Sequence, residues 1–243
     1  EEALKKILAN QQYGMHDPRN VETWVRFSLS MISKELKARG RGRTNVQIKH
    51  AIEVMASCII TLYKEGKEVW KGSILQDLVT VGRDEYLADT SAQHIARLPL
   101  FISHAINQLE YRQFNYDRLM SCDDQLTRWL YKKLIHRFRQ ASFMNDYHFM
   151  YSGIERDSGL LQQGRSNDNR RKVIDALDEL VRRGILMSYD VGIRKQGRRI
   201  TDVKYTVRPG SDFVREQKAA NKRGRDDHLR ALNAGVDLDA GRR

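Results

Sequence analysis

The chain has 243 residues, with 43 Lys and Arg against 31 Asp and Glu, a formal net charge of +12. That surplus favours a polyanionic partner, nucleic acid or an acidic membrane surface, and 40% hydrophobic with 30% charged residues is a folded rather than a disordered composition. No apolar run approaches the roughly 18–20 residues that span a bilayer, so a membrane-spanning chain is not expected, and two cysteines with no CxxC make a reducing cytoplasm the expected compartment.

Residues 1–12 are expected to form a short helix (Leu4, Ile7, Leu8), broken by Gly14 and Asp17-Pro18. The opening Glu1-Glu2-Ala3-Leu4-Lys5 has neither a basic leader nor an apolar h-region, so no signal peptide is expected, and the missing initiator Met reads as a trimmed chain. A second helix is predicted from about Asn20, with Trp24, Phe27, Met31, Ile32 and Leu36 at three-to-four spacing. The basic turn Arg39 to Arg43 stops it. Thr44 or Asn45 then caps a third helix, whose stripe is Ile48, Ile52, Met55, Ile59 and Leu62 and which Gly66 ends. Residues 67–81 are β-like, Gly82 to Ala92 are polar, and Ile95 to Ile102 are an apolar strand. Helix, basic turn, helix and hairpin in this order form the grammar of a winged helix.

The order recurs. Asp123-Asp124 precedes a helix carrying Leu126, Trp129, Leu130, Leu134, Ile135 and Phe138. Phe149 to Tyr151 reads as a strand and Ser152 to Leu161 as a short helix. Gly164 makes a turn, and Ser166 or Asn167 caps a helix with Val173, Ile174, Leu177, Leu180 and Val181 as its stripe. Ile185 to Tyr189 and Ile200 to Val207 are predicted strands, joined by a glycine-flanked basic loop, Gly192 to Arg199. Residues 210–243 are a basic polar tail, either one helix (Phe213 to Leu232) or disordered. The fold class is therefore mainly α with small β-hairpins (α+β), as two tandem winged-helix domains, 1–118 and 119–209.

Assembled chemistry is not visible. There is no GxxxxGK followed by Ser or Thr, no GxSxG and no HExxH. The seven histidines are scattered, none at i, i+4, and no His-x-His pair accompanies a tyrosine. Cys58 and Cys122 form no CxxC, which argues against a disulfide framework or a cysteine zinc site. No metal, no cofactor and no enzymatic activity are expected.

Binding constellations are visible. Arg165, Asn167, Asn169, Arg170, Arg171 and Lys172 lie at the polar front of a helix whose rear is apolar. A recognition helix has this layout, its first turns in the major groove, where Arg matches guanine and Asn matches adenine. A solvated helix start is the plain alternative. Arg194, Lys195, Arg198 and Arg199 put four cations in six residues at a hairpin tip, suited to backbone phosphates through counterion release. Across 160–209, 12 Lys or Arg stand against 6 Asp or Glu, half of the chain's surplus of +12. A third set, Arg39, Arg41, Arg43, Asn45, Gln47, Lys49 and His50, is either the recognition element of the first winged helix or a flexible linker followed by an ordinary helix start. Tyr111, Phe114 and Tyr116 suit packing better than stacking on single-stranded bases.

The chain resembles the replication initiator (Rep) proteins of iteron-containing plasmids, which carry two winged helices in tandem. The likeness spans most of residues 20–209. It rests on the long helix Asn45 to Glu65 followed by a β-rich wing, and on the run Ala96-Arg97-Leu98-Pro99-Leu100-Phe101-Ile102. Tyr116 to Ser121 with Leu126 to Leu134 resembles the opening of the family's second domain, and Val173 to Leu186 its closing helix and strand. The resemblance implies binding of double-stranded DNA at direct origin repeats, origin opening, recruitment of host initiator and helicase proteins, and a monomer–homodimer switch. Two such domains would read successive major grooves with centres roughly 34–36 Å apart. A winged-helix transcriptional repressor, with one DNA-reading and one dimerisation domain, is the nearest rival. A nuclease whose acids assemble only in the fold is the rival from another class.

Overall fold

The computed structural model describes residues 2–10, 15–17, 22–64, 66–88, 93–100, 102, 114–162 and 164–233. The chain divides into two compact units, one built from Glu1–Tyr111 and one from Arg112–Ala234. Each mixes α-helices with antiparallel β-structure.

In the first unit, helices Glu2–Asn10, Leu29–Lys37 and Asn45–Ser57 accompany an antiparallel sheet of Met15–Asp17, Glu22–Phe27, His94–Arg97 and Gln76–Val79, in that spatial order. A separate hairpin joins Ile60–Lys64 to Lys67–Gly72, and a short helix spans Arg83–Ala88. The core comprises Ala3, Leu4, Ile7, Val25, Phe27, Ile32, Ile48, Ile52, Leu75, Ala96 and Leu98.

Three expectations are corrected here. Residues 22–27 form a strand, not the start of the second helix, because Thr23, Val25 and Phe27 alternate inward with a period of two. Ser28 then caps the helix by accepting from the Met31 amide at 3.1 Å. The third helix stops at Ser57, so Ile59 and Leu62 are not on its stripe. Beyond it, Ile59-Ile60-Thr61 is β-branched and enters the hairpin. The strand expected from Ile95 to Ile102 ends at Arg97. Leu98 donates a last bond to the Thr23 carbonyl at 2.8 Å, and Pro99 has no N–H to continue the ladder. Phe101, Tyr111 and the predicted break at Gly14 and Pro18 lie outside the described residues.

Two polar contacts fix the sheet. Arg97 reaches Asp77 at 2.6 Å and Glu22 at 3.4 Å, so one guanidinium links three strands. His94 stacks on Phe27 and accepts the Val81 amide proton on Nδ1 at 3.0 Å, which requires a neutral ring. Burial, and then the Lys49 charge, hold its pKa below the ordinary 6.5.

The second unit stacks helices Tyr116–Ser121, Gln125–Arg137, Tyr151–Ser158 and Ser166–Arg182 with a sheet ordered Tyr147–Met150, Arg199–Pro209, Leu186–Gln196. Asp124 caps the Gln125–Arg137 helix, accepting from the amides of Leu126 and Thr127 at 2.6 and 3.2 Å. The stripes of this helix and of Ser166–Arg182 meet in one core with Phe149, Tyr151, Ile154, Val203, Tyr205 and Val207. Phe114 packs against the same core. Neither Ser166 nor Asn167 caps the Ser166–Arg182 helix. Arg165 holds the cap position without a side-chain bond.

The predicted basic loop Gly192 to Arg199 is also corrected. Pairing runs up the hairpin to Gln196↔Arg199, with a register shift between Arg194 and Lys195, leaving a turn of Gly197 and Arg198, with Gly197 at φ 61°. A two-residue turn with a left-handed glycine closes such a hairpin without splaying its strands.

Of the two alternatives for the C-terminal segment, the helix is observed, Ser211–Asn233. Phe213 is wholly buried beside Tyr131 and Phe138. The Tyr131 hydroxyl donates to Glu216 at 3.2 Å, and Arg118 pairs with Asp212 at 3.0 Å and Glu216 at 3.5 Å. The chain enters this helix through a close approach. The Gly210 amide donates to the Ile185 carbonyl at 2.9 Å, and a Cβ on Gly210 would lie 2.1 Å from the Gly184 oxygen.

Two outcomes follow. Gly210→Ala is expected to destabilise the second unit by about 1–3 kcal/mol, since backbone must move to admit a methyl group. Urea unfolding monitored through this unit checks it, and an unchanged midpoint would contradict the packing. For the first unit, a folded pKa of His94 below the unfolded value makes its contribution complete above about pH 6.5 and lost as pH falls through the folded pKa. Titration of the His94 ring by NMR should give a midpoint below that of the unfolded chain.

Candidate nucleic-acid interface

The second unit presents two cationic elements. The rear face of the Ser166–Arg182 helix is buried through Val173, Ala176, Leu177 and Leu180, so its geometry turns the opposite face to solvent. Arg165, Asn167, Arg171 and Lys172 are exposed there. Arg170 is half-buried and donates from Nη2 to the Asn167 Oδ1. Its charge reaches the hydroxyls of Tyr151 and Tyr205. Asp168 and Asp175 share the exposed side, so the front is mixed in sign.

Asn169 departs from its expected role. It is fully buried, its Oδ1 accepts the Gln162 amide at 3.2 Å, and its Nδ2 donates to the Gln162 carbonyl at 2.6 Å. Both ends of the amide are used on one backbone residue. Asn169 therefore pins the turn before the helix and does not face a base edge.

The hairpin is the second element. Arg194, Lys195, Gln196, Arg198 and Arg199 are all exposed, while Val203, Tyr205 and Val207 at its base alternate into the core. Across the ladder Arg194 stands opposite Asp202. Asp202 accepts from the Ser152 amide at 3.1 Å and from its hydroxyl at 2.6 Å. Burial would raise its pKa, but these bonds, a backbone bond from Val203 and the Arg194 charge outweigh that and hold it below the usual carboxylate range. Asp202 thus fastens the hairpin to the start of the Tyr151–Ser158 helix. Among the described residues, no salt bridge engages Arg165, Arg171, Lys172, Lys195, Arg198 or Arg199.

Residues that the sequence did not mark hold this arrangement. Buried Glu179 accepts the Asp123 amide at 2.6 Å and pairs with Arg183 at 2.7 Å, and Arg183 also reaches Asp123 at 3.1 Å. This network locks the rear end of the Ser166–Arg182 helix to the turn before Gln125–Arg137. Tyr189, at the root of the hairpin, donates to Asp178 at 2.6 Å. Its pKa is pushed up to about 12, first by burial and then by that bond. Only the Arg183-Gly184 helix stop carried a local signal for any of these positions.

The first unit's set is divided. Gln47 and Thr44 form a capping box, with the Gln47 Oε1 accepting from the Thr44 amide at 3.2 Å, so the Gln47 side chain is committed to the helix start. Arg39 pairs with Glu35 at 3.3 Å and Lys49 lies 4.0 Å from Glu53. Arg43 is exposed and donates to the Gly42 carbonyl at 3.1 Å. Asn45 and His50 are exposed, and Arg41 is half-buried. No three His, Cys, Asp or Glu side chains among the described residues group to hold a metal ion. None of the described helices is long and apolar enough to cross a membrane.

No family model matches this chain, and no curated protein matches it. Among solved structures, a crystal structure of Pi initiator protein in complex with iteron DNA is similar in fold. The TM-score is 0.51 and the identity 12%, over 87% of this chain and 94% of that chain.

The two asparagines are expected to part company on mutation. Asn169→Ala removes the buried amide that bonds both backbone groups of Gln162 and should cost about 1–3 kcal/mol of stability. Asn167→Ala at the exposed front should stay within about 0.5 kcal/mol of the parent. Equal midpoints in urea for both variants would contradict the buried amide.

Proposed function

We propose that this chain is a sequence-specific double-stranded DNA-binding protein of the plasmid replication initiator kind, built from two tandem winged-helix domains. The carrying observation is the pairing in one unit of an exposed cationic helix front with a projecting cationic hairpin, neither neutralised by salt bridges among the described residues. The fold likeness to an initiator solved with iteron DNA agrees with it.

In this reading Arg171, Lys172, Asn167 and Arg165 enter the major groove, Arg170 orients Asn167, and at least one cation of the front serves a phosphate. Arg194, Lys195, Arg198 and Arg199 lie along the backbone as a wing. In the first domain Arg41, Arg43, Asn45 and His50 supply the smaller share, since Gln47, Arg39 and Lys49 already hold local partners. Binding at direct repeats, opening of an origin, recruitment of host initiator and helicase proteins, a homodimeric state, a cytoplasmic location and the lack of a catalytic role all belong to this proposal.

The division of labour in the first unit also favours a second reading, a repressor in which that unit dimerises and only the second reads DNA. Nuclease footprinting on the DNA flanking the protein's own gene separates them. Protection of several tandem repeats is expected for the initiator, protection of a single palindrome for the repressor, and cleavage on adding a divalent metal would overturn both. Replacing Arg198 and Arg199 with Ala should weaken binding similarly on all sequences. It should also lower the salt slope by about 0.9 for each lost phosphate contact. A changed base preference with an unchanged slope would assign the wing to base reading instead.

A further inference from the structure

The Ser211–Asn233 helix is packed only along its first half. Phe213, Val214 and Gln217 are buried, and Asn221 donates to the Arg139 carbonyl at 2.9 Å. Beyond Asn221 every described side chain is exposed or half-exposed. Arg215, Lys218, Lys222 and Arg225 follow one another at spacings of three, four and three, which align them on one side of the helix, away from Phe213 and Gln217. Lys218, Lys222 and Arg225 are exposed. Arg215 is paired with Asp212 at 2.6 Å, whereas no salt bridge among the described residues engages the other three.

The acids of this helix are placed elsewhere. Asp212 and Glu216 face Arg118, Asp212 also holds Arg215, and Asp227 lies 3.6 Å from Arg230, while Asp226 flanks the cationic side next to Arg225. Like charges at three- and four-residue spacings repel and weaken a helix. Three such neighbours occur in succession here, on a segment that gains little from packing. A polyanion removes that repulsion.

We propose that Lys218, Lys222 and Arg225 form a further phosphate-binding strip that grips the backbone of double-stranded DNA outside the contacts of the recognition helix and wing. Lys218 and Arg225 are seven residues apart, about 10 Å of helix at 1.5 Å per residue, a length that can meet successive backbone phosphates. The only apolar side chains between Arg215 and Arg225 are the methyl groups of Ala219 and Ala220, both half-buried. A protein partner would need a desolvated apolar centre, whereas a phosphate backbone needs only cations. The strip adds affinity without sequence preference, and it rests on the DNA-binding reading above.

The test is a salt titration of full-length protein on a mixed-sequence duplex, read by fluorescence anisotropy. The Lys218→Gln, Lys222→Gln, Arg225→Gln variant should lower the slope of log K against log salt by about 2–3, at about 0.9 per phosphate. The charge-keeping variant Lys218→Arg, Lys222→Arg, Arg225→Lys should retain it. Circular dichroism and melting verify the fold. If the triple Gln variant does not fold, Lys222→Gln alone should lower the slope by about 1. A parent that binds duplex with a slope these substitutions leave unchanged overturns the strip and leaves the DNA-binding reading standing. A parent that does not bind duplex overturns both. An unchanged slope together with lost binding to polyglutamate would assign the strip to an acidic protein and so overturn it as well.

Discussion

Val173, Ala176, Leu177 and Leu180 lie on one face of the Ser166–Arg182 helix and have no solvent exposure. Burial of that face fixes the rotation of the helix about its axis, and rotation decides which side chains meet solvent. Turning the helix by one residue would expose leucines and bury Arg171 or Lys172, and an unpaired buried cation is far too costly to tolerate. The cationic front is therefore a consequence of the core behind it. Asn169 and Glu179 secure the same orientation at two points, one through the Gln162 backbone and one through Arg183 and Asp123.

The same core positions the hairpin. Val203, Tyr205 and Val207 enter it from the central strand, and Pro209 and Gly210 close the sheet against Ile185 and Gly184. Helix front and hairpin are thus two outlets of one packed body, and their cations are held in place rather than free to diffuse apart. Keeping Arg194, Lys195, Arg198 and Arg199 together on a narrow ribbon is unfavourable in isolation. Release of condensed counterions from a duplex is a term of the size that offsets it.

Legibility in the sequence followed the length of the periodic signal. The stripes 126–138 and 173–181 are readable because each runs for more than two turns with apolar residues on one side. Glu22–Phe27 was misread because Trp24, Phe27 and Met31 fit a helical spacing, while polar Thr23 hides the strand alternation. The basic hairpin looked like a loop because its solvent-facing positions carry no apolar alternation past Ile193, although backbone pairing needs none. Asn169 was misassigned because residue type cannot distinguish an amide that faces solvent from one that bonds a backbone seven residues away. Asp202 gave no local signal at all, since its partner Ser152 is fifty residues distant in the chain.

In the proposed DNA-binding reading, one packed body aims the Arg165–Lys172 front and the Arg194–Arg199 hairpin at the same duplex. Hydrogen–deuterium exchange of the full chain, with and without the duplex flanking its own gene, tests this directly. DNA is expected to slow exchange at the amides of 165–172 and 192–201 together, while the already protected core of Ser166–Arg182 changes little. Slowed exchange confined to the first unit, or to neither segment, would contradict it.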